Sequence, residues 1–381
     1  MKDSRFTFRK LFGKIHLWLG LISGIIIFFV CLSGTIFTFR FELDKAMYPS
    51  LYYVTVPEKG ERFPLDSIKA IYEKKYDASL TDITIPAKES RLLELTLRSN
   101  TIDSTYSCKV NPYTGAFVEN RRTAGDEFLN FIYNLHTNLL FGNRLGEGIV
   151  GVSTIIFLIM IISGLVLWYR KKLSNIHKGL VFKKTGNWKR IIYDLHNILG
   201  FYTSIVLIVI ALTGLTYTFS SFDEFVKDLL IDKETTAATT ANTAVNADST
   251  KREVLPLSAF VKEANAVLNF RGDLIIFMPA DSGENVKARR FKSGFFATYA
   301  PDKIVIDPYS AKLTSIEKFS DYSFNEKIKR LFYQLHAGSI FGTFTKIIYC
   351  IICLIATSLP LTGTIIWWNK NFRKKKKQNL V

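Results

Sequence analysis

Four of the five histidines in this chain stand in one recurring phrase, each time at the doorway of an apolar stretch. The copies are Phe12-Gly13-Lys14-Ile15-His16, Ile132-Tyr133-Asn134-Leu135-His136, Ile192-Tyr193-Asp194-Leu195-His196 and Phe332-Tyr333-Gln334-Leu335-His336. A single histidine at a membrane interface means little, because it can snorkel to headgroups or bond a carbonyl. Four in matched context predict imidazoles gathered for a shared ligand, and the candidate is haem.

A second phrase recurs near the far end of each apolar stretch: Leu32-Ser33-Gly34, Ile162-Ser163-Gly164, Leu212-Thr213-Gly214 and Leu361-Thr362-Gly363. His16 and Gly34 are 18 residues apart, as are His196 and Gly214; on a helix that is five turns and about 27 Å of rise, with both residues on one face. His16 and His196 precede stretches that start on one side of the membrane, and His136 and His336 precede stretches that start on the other. Two levels with two imidazoles each are what two bis-histidine haems require. The glycines are expected to leave room for a flat macrocycle, Gly34 and Gly214 near the outer histidines and Gly164 and Gly363 near the inner ones. Ordinary close approach of membrane helices also explains a Ser/Thr-Gly pair. His136 and His336 stand off from their stretches, so either a long helix projects outward or it breaks near Gly142 and Gly342. The ligand pairing stays open, and His177, which lacks the phrase, reads as a solvated side chain.

The elements that must position these groups are four spans, 17–39, 147–169, 198–219 and 347–368. Each has about the 20 residues needed to cross a hydrocarbon core of roughly 30 Å. The first reads as uncleaved, since its apolar run is too long for a signal peptide and no cleavage pattern precedes Arg40. The formal charge of +17 resides in the N-terminal tail, the loop around 170–190 and the C-terminal tail, whose only acid is Asp3. The positive-inside rule makes all three cytoplasmic, both termini included. Basic residues that flank spans bind anionic lipid rather than a nucleic acid, so the bilayer is the expected partner and nucleic acid is not. Cys350 and Cys353 lie inside a span, as does Cys31, and Cys108 stands alone outside; the pattern supports packing, not a dithiol centre. No Walker loop, Rossmann glycine fingerprint or Ser-His-Asp set is present, so any flavin or nicotinamide step belongs to a partner.

The halves 1–172 and 185–381 each run span, outer segment, His phrase, span, which predicts an internal duplication. The expected fold is membrane all-α: a duplicated 2+2 bundle of four transmembrane helices carrying two extracytoplasmic α+β modules. In each module a helical spacing, 65–76 or 257–268, precedes alternating runs such as 92–97 or 303–306. These flank turn chemistry, Asn111-Pro112-Tyr113 in the first and Asp307-Pro308-Tyr309 in the second. The divisions are a tail and first span (1–41), module one (42–126), outer His helix and second span (127–172), basic loop (173–190) and third span (191–221). Module two (222–325) includes a Thr/Ala-rich tether at 235–250, and the outer His helix with the fourth span (326–369) and a basic tail (370–381) complete the chain.

The His phrases, the four spans and the Asn/Asp-Pro-Tyr turns together resemble the PepSY-associated transmembrane helix family of bacterial inner-membrane proteins. Within it they resemble the branch of haem-containing ferric-siderophore reductases and iron-regulated membrane proteins. The resemblance implies PepSY-like outer modules and two b-type haems on His16, His196, His136 and His336. It also implies electrons passing across the bilayer from a quinol or a cytoplasmic reductase to a ferric siderophore or similar chelate. Elsewhere in the family PepSY-type modules are linked to peptidase inhibition, which implies the alternative of a membrane-anchored binding or regulatory protein. An iron or haem transporter has thin support, since the spans carry no carboxylate and only Pro360 as an interior helix breaker.

Overall fold

The computed structural model describes residues 8–118, 124–172, 187–230, 253–281 and 284–378. His177, the 235–250 tether and much of the basic segments lie outside them. The chain opens with α1 (Phe8–Phe37), α2 (Arg40–Met47) and α3 (Leu65–Tyr76). Strands β1 (Ala78–Ile85), β2 (Leu93–Ser99), β3 (Thr105–Val110) and β4 (Phe117–Val118) follow, then α4 (Ala124–Asn138) and α5 (Asn143–Lys172). The second half runs α6 (Trp188–Asp194), a π-helical turn (Leu195–Leu199), α7 (Gly200–Thr218), α8 (Ser220–Leu229) and α9 (Leu257–Val267). Strands β5 (Gly272–Phe277), β6 (Val286–Lys292), β7 (Pro301–Ile306) and β8 (Leu313–Glu317) precede α10 (Phe324–Arg330), α11 (Phe332–Ala337) and α12 (Gly342–Gln378).

Among the described residues four helices are long and apolar enough to cross a membrane: Phe8–Phe37, Arg144–Tyr169, Trp188–Thr218 and Gly342–Asn371. Span 1 packs on spans 2 and 4, and span 3 packs on the same two. Spans 1 and 3 therefore stand diagonally across a closed ring, so side chains from both can meet on its axis.

The all-α expectation gives way to a mixed architecture, because the extramembrane part is built on an antiparallel sheet of eight strands, ordered β4-β3-β2-β1-β5-β6-β7-β8. A helix with one hairpin was expected on each side. Four strands follow each helix instead, and the two sets fuse where Ile83 of β1 pairs with Ile276 of β5. Arg91 reinforces the seam through an ion pair to Asp273 at 2.7 Å, and Asp273 also accepts from the Ala87 N–H. One sheet face alternates apolar residues inward against α3 and α9; a bulge between Leu80 and Asp82 lets both Leu80 and Ile83 point there. The Asx turns are as the sequence predicts: Asn111 Oδ1 accepts from Tyr113 N–H at 2.9 Å, and Asp307 Oδ1 from Tyr309 N–H at 2.9 Å. Phe260 of α9 is fully buried at the centre of this core. Phe260→Ala is expected to destabilise the sheet domain by about 3–5 kcal/mol, combining lost transfer energy with a cavity. A lower thermal midpoint of the sheet signal in circular dichroism checks this.

Of the two geometries open for the standing-off histidines, the chain adopts the break. Leu139 and Leu140 take φ of +52° and +65°, and Gly142 +83°, which ends α4 and redirects the backbone into span 2. The second break uses Gly338 at +70° and Gly342 at +61° between α11 and α12. A side chain at Gly338 would also strike Tyr349, its Cβ standing 2.4 Å from Cγ. The two short helices thus carry His136 and His336 independently of the spans that follow.

Candidate functional site

The histidines meet in two pairs. His16 on α1 and His196 on the π-helical turn come from the diagonal spans, with ring centroids 6.2 Å apart. His136 on α4 and His336 on α11 lie 6.1 Å apart at the sheet side of the bundle. The π turn around His196 has no counterpart at His16, which sits in regular helix; such turns recur at functional sites. The two levels are separated by the 18 residues from His16 to Gly34, about 27 Å along the helix.

Each imidazole is seated in the Ser/Thr-Gly phrase of a different helix. An added Cβ at Gly34 would lie 2.8 Å from His136 Cε1, at Gly214 3.0 Å from His336 Cε1, at Gly164 3.1 Å from His16 Cε1, and at Gly363 3.3 Å from His196 Cε1. The glycines therefore admit the imidazoles themselves, at the levels where the sequence places them. The preceding hydroxyl and the carbonyl four residues before each glycine close the seat. His136 Nδ1 lies 2.8 Å from the Val30 carbonyl and 3.5 Å from Ser33 Oγ. His16 Nδ1 is 3.0 Å from both the Met160 carbonyl and Ser163 Oγ. His336 Nδ1 is 3.0 Å from the Ile210 carbonyl and 3.2 Å from Thr213 Oγ1. His196 Nδ1 is 3.0 Å from Thr362 Oγ1, with the Leu359 carbonyl as the backbone acceptor beside the ring.

This arrangement fixes the tautomer. A carbonyl can only accept, and each hydroxyl already donates to its own helix: Ser33 to Phe29, Ser163 to Met160, Thr213 to Val209 and Thr362 to Ser358. Nδ1 must therefore carry the proton at all four histidines, which leaves Nε2 as a bare lone pair. An imidazole held through Nδ1–H to a carbonyl is the usual support for a metal-binding histidine. The spacing agrees with that use. With a metal–nitrogen distance of ~2 Å and ~1.2 Å from nitrogen to ring centre, two imidazoles sharing one metal have centroids ~6 Å apart. Near the far-side pair two buried atoms lack a hydrogen-bond partner among the described residues: Trp168 Nε1, four residues after Gly164, and Asp194 Oδ1, two residues before His196. The other Asp194 oxygen is paired with Arg190 at 3.1 Å. On these grounds the residues fit a bis-histidine group at each level. The clamp could not be read from spacing, although a hydroxyl beside every seating glycine was its signal.

Trp18 is 57 % exposed on the outside of the bundle, whereas Trp168 stacks on Phe201 with centroids 3.8 Å apart. Arg290 is buried and committed to the Leu268 and Phe270 carbonyls and to Asn265, so it does not face an approaching anion. Arg289 lies over the Phe277 ring, and Arg144 is exposed. The cysteines are free thiols. On the sheet side, burial lowers the Lys109 pKa, with Glu94 and Asp44 opposing that shift. Burial raises the Tyr52 pKa, reinforced by its hydrogen bond to Asp44.

A ring of four membrane-crossing helices, an extramembrane antiparallel sheet and paired histidines at two levels define a multi-span membrane protein with two internal histidine pairs. The chain belongs to the family described as the PepSY-associated TM region, whose model matches residues 14–370. No curated protein matches it.

Proposed function

We propose that this chain is an inner-membrane dihaem electron-transfer protein that carries electrons across the bilayer to a ferric chelate, of the siderophore type, on the sheet side. The observation that supports this best is the set of four imidazoles in two pairs, each with Nδ1–H engaged and Nε2 bare. In this reading His16 and His196 hold one haem b, and His136 and His336 hold the second. When bound, haem supplies reversible one-electron iron chemistry.

The chain's own work is positional. At each level the two histidine nitrogens would hold the group, which would supply the one-electron chemistry. The carbonyl and hydroxyl at each Nδ1 hold the ring orientation and raise the basicity of Nε2. The Trp168 indole N–H is a free donor of the kind a haem carboxylate takes. The pseudo-repeat of His, seat and span in the two halves supports an internal duplication, and the described basic residues Arg9, Lys10, Lys14, Lys189 and Arg190, at the ends of spans 1 and 3 away from the sheet, support cytoplasmic termini. The donor would then be a quinol or a cytoplasmic reductase. A purely regulatory, peptidase-inhibitor-like role gives four oriented imidazoles nothing to do.

The test is a spectrum. Protein purified in detergent after expression with haem supplied is expected to show a b-type absorption that sharpens on dithionite, with two haems per chain by haemochrome assay. Colourless protein sinks the reading.

A further inference from the structure

A cavity of about 430 Å³ opens on the sheet side, where the end of α1 meets α2, α4 and β3. That volume lies within the range of small-ligand pockets. Phe37 and Tyr133 line it, and their rings meet with centroids 5.4 Å apart. Phe37 lies three residues beyond Gly34, the seat of His136, and Tyr133 three residues before His136 itself. The pocket wall is thus about one helical turn, ~5 Å, from the sheet-side histidine level.

Two cations face the cavity, Arg40 and Lys109. The Arg40 guanidinium lies over Phe37 and Phe41 at 5.2 and 5.1 Å, and the Lys109 ammonium over Tyr52 at 3.6 Å. Among the described residues neither makes an ion pair. The acids in the same wall are engaged: Asp44 accepts the Tyr52 hydroxyl, and Asp126 has its own partner. A planar guanidinium and an ammonium held on aromatic faces, with Asp44 and Glu94 near Lys109 but in no ion pair with it among the described residues, match anionic oxygens on a compact ligand.

We propose that this cavity is the chelate site and that it selects anionic, carboxylate- or catecholate-type iron(III) complexes over neutral hydroxamate ones. The proposal rests on the electron-transfer reading and adds the location and charge class of its substrate. The event assigned to the cavity is binding alone, with no bond made or broken.

Redox-inert gallium(III) complexes test it on full-length protein in detergent, because they separate binding from reduction. Calorimetric titration is expected to show gallium citrate binding at least tenfold more tightly than neutral gallium tris(acetohydroxamate). Arg40→Gln with Lys109→Gln should weaken the citrate complex at least tenfold and leave the hydroxamate complex unchanged. Arg289→Gln, on the sheet but away from the cavity, should change neither. Circular dichroism and haem content of the double variant must match wild type; Arg40→Gln alone serves if they do not. Equal affinity for both complexes, or a double variant that binds citrate like wild type, overturns the proposal. A haem-loaded protein with no anion preference refutes the pocket and leaves the electron-transfer reading standing; a haem-free protein that keeps the preference does the reverse.

Discussion

Replacing His16 or His196 by Ala is expected to lower bound haem from two per chain to one, and replacing His136 or His336 to remove the other one. The reason is that each pair is a closed unit. Its rings stand 6.2 or 6.1 Å apart, and each is seated in a different helix. Removing one ring leaves its partner fixed at Nδ1 with a single nitrogen to offer, so both members of a pair should fail alike. The levels should be independent, since about 27 Å along α1 separates them and sites more than 7–10 Å apart rarely couple. His16→Ala with His196→Ala should therefore match either single variant, whereas His16→Ala with His336→Ala should leave no haem. Haemochrome assay against protein concentration reads this directly. A single variant that loses both haems, or none, would show that the pairs are not the ligand sets.

The sequence carried the parts of this arrangement that are periodic or repeated. The apolar spacing of 65–76 is α3 residue for residue, and Asn111 and Asp307 cap their turns as their type predicts. What it did not carry depends on partners distant in the chain. His136 meets Val30 across 106 residues and His16 meets Met160 across 144, so no local pattern could show that glycine, hydroxyl and carbonyl form one seat. Fusion of the modules was equally hidden, because alternation in β1 or β5 says that one face is buried but not which strand lies alongside. The break after α4 runs against preference: Leu139 and Leu140 hold left-handed backbone that leucine avoids, and only tertiary packing selects it. The π turn at His196 likewise has no signature in its residues.

The glycine seats give the second large effect, and they rank themselves. Added methyl groups at Gly34, Gly214, Gly164 and Gly363 approach the nearest imidazole carbon to 2.8, 3.0, 3.1 and 3.3 Å. Below about 3 Å something must shift; at Gly34 the neighbour is a ring held on both sides, with Nδ1 itself 3.1 Å away. Moving that ring breaks its bond to Val30 and turns Nε2 off the pair axis. Loss of one supporting contact to a metal-binding histidine typically costs 10–100-fold in affinity. Gly34→Ala should accordingly release the sheet-side haem, and Gly363→Ala should weaken the far-side one least. Helix stability works the other way, because Ala favours a helix by about 1 kcal/mol over Gly. The spans should therefore melt no earlier while haem is lost, which separates a displaced ligand from general unfolding. Gly148, on the same helix as Gly164 but with nothing within 4 Å of an added Cβ, is the control. Measuring each variant in a His16→Ala or a His136→Ala background assigns the loss to one level, and a Gly148→Ala effect as large as that of Gly34→Ala would refute the seats.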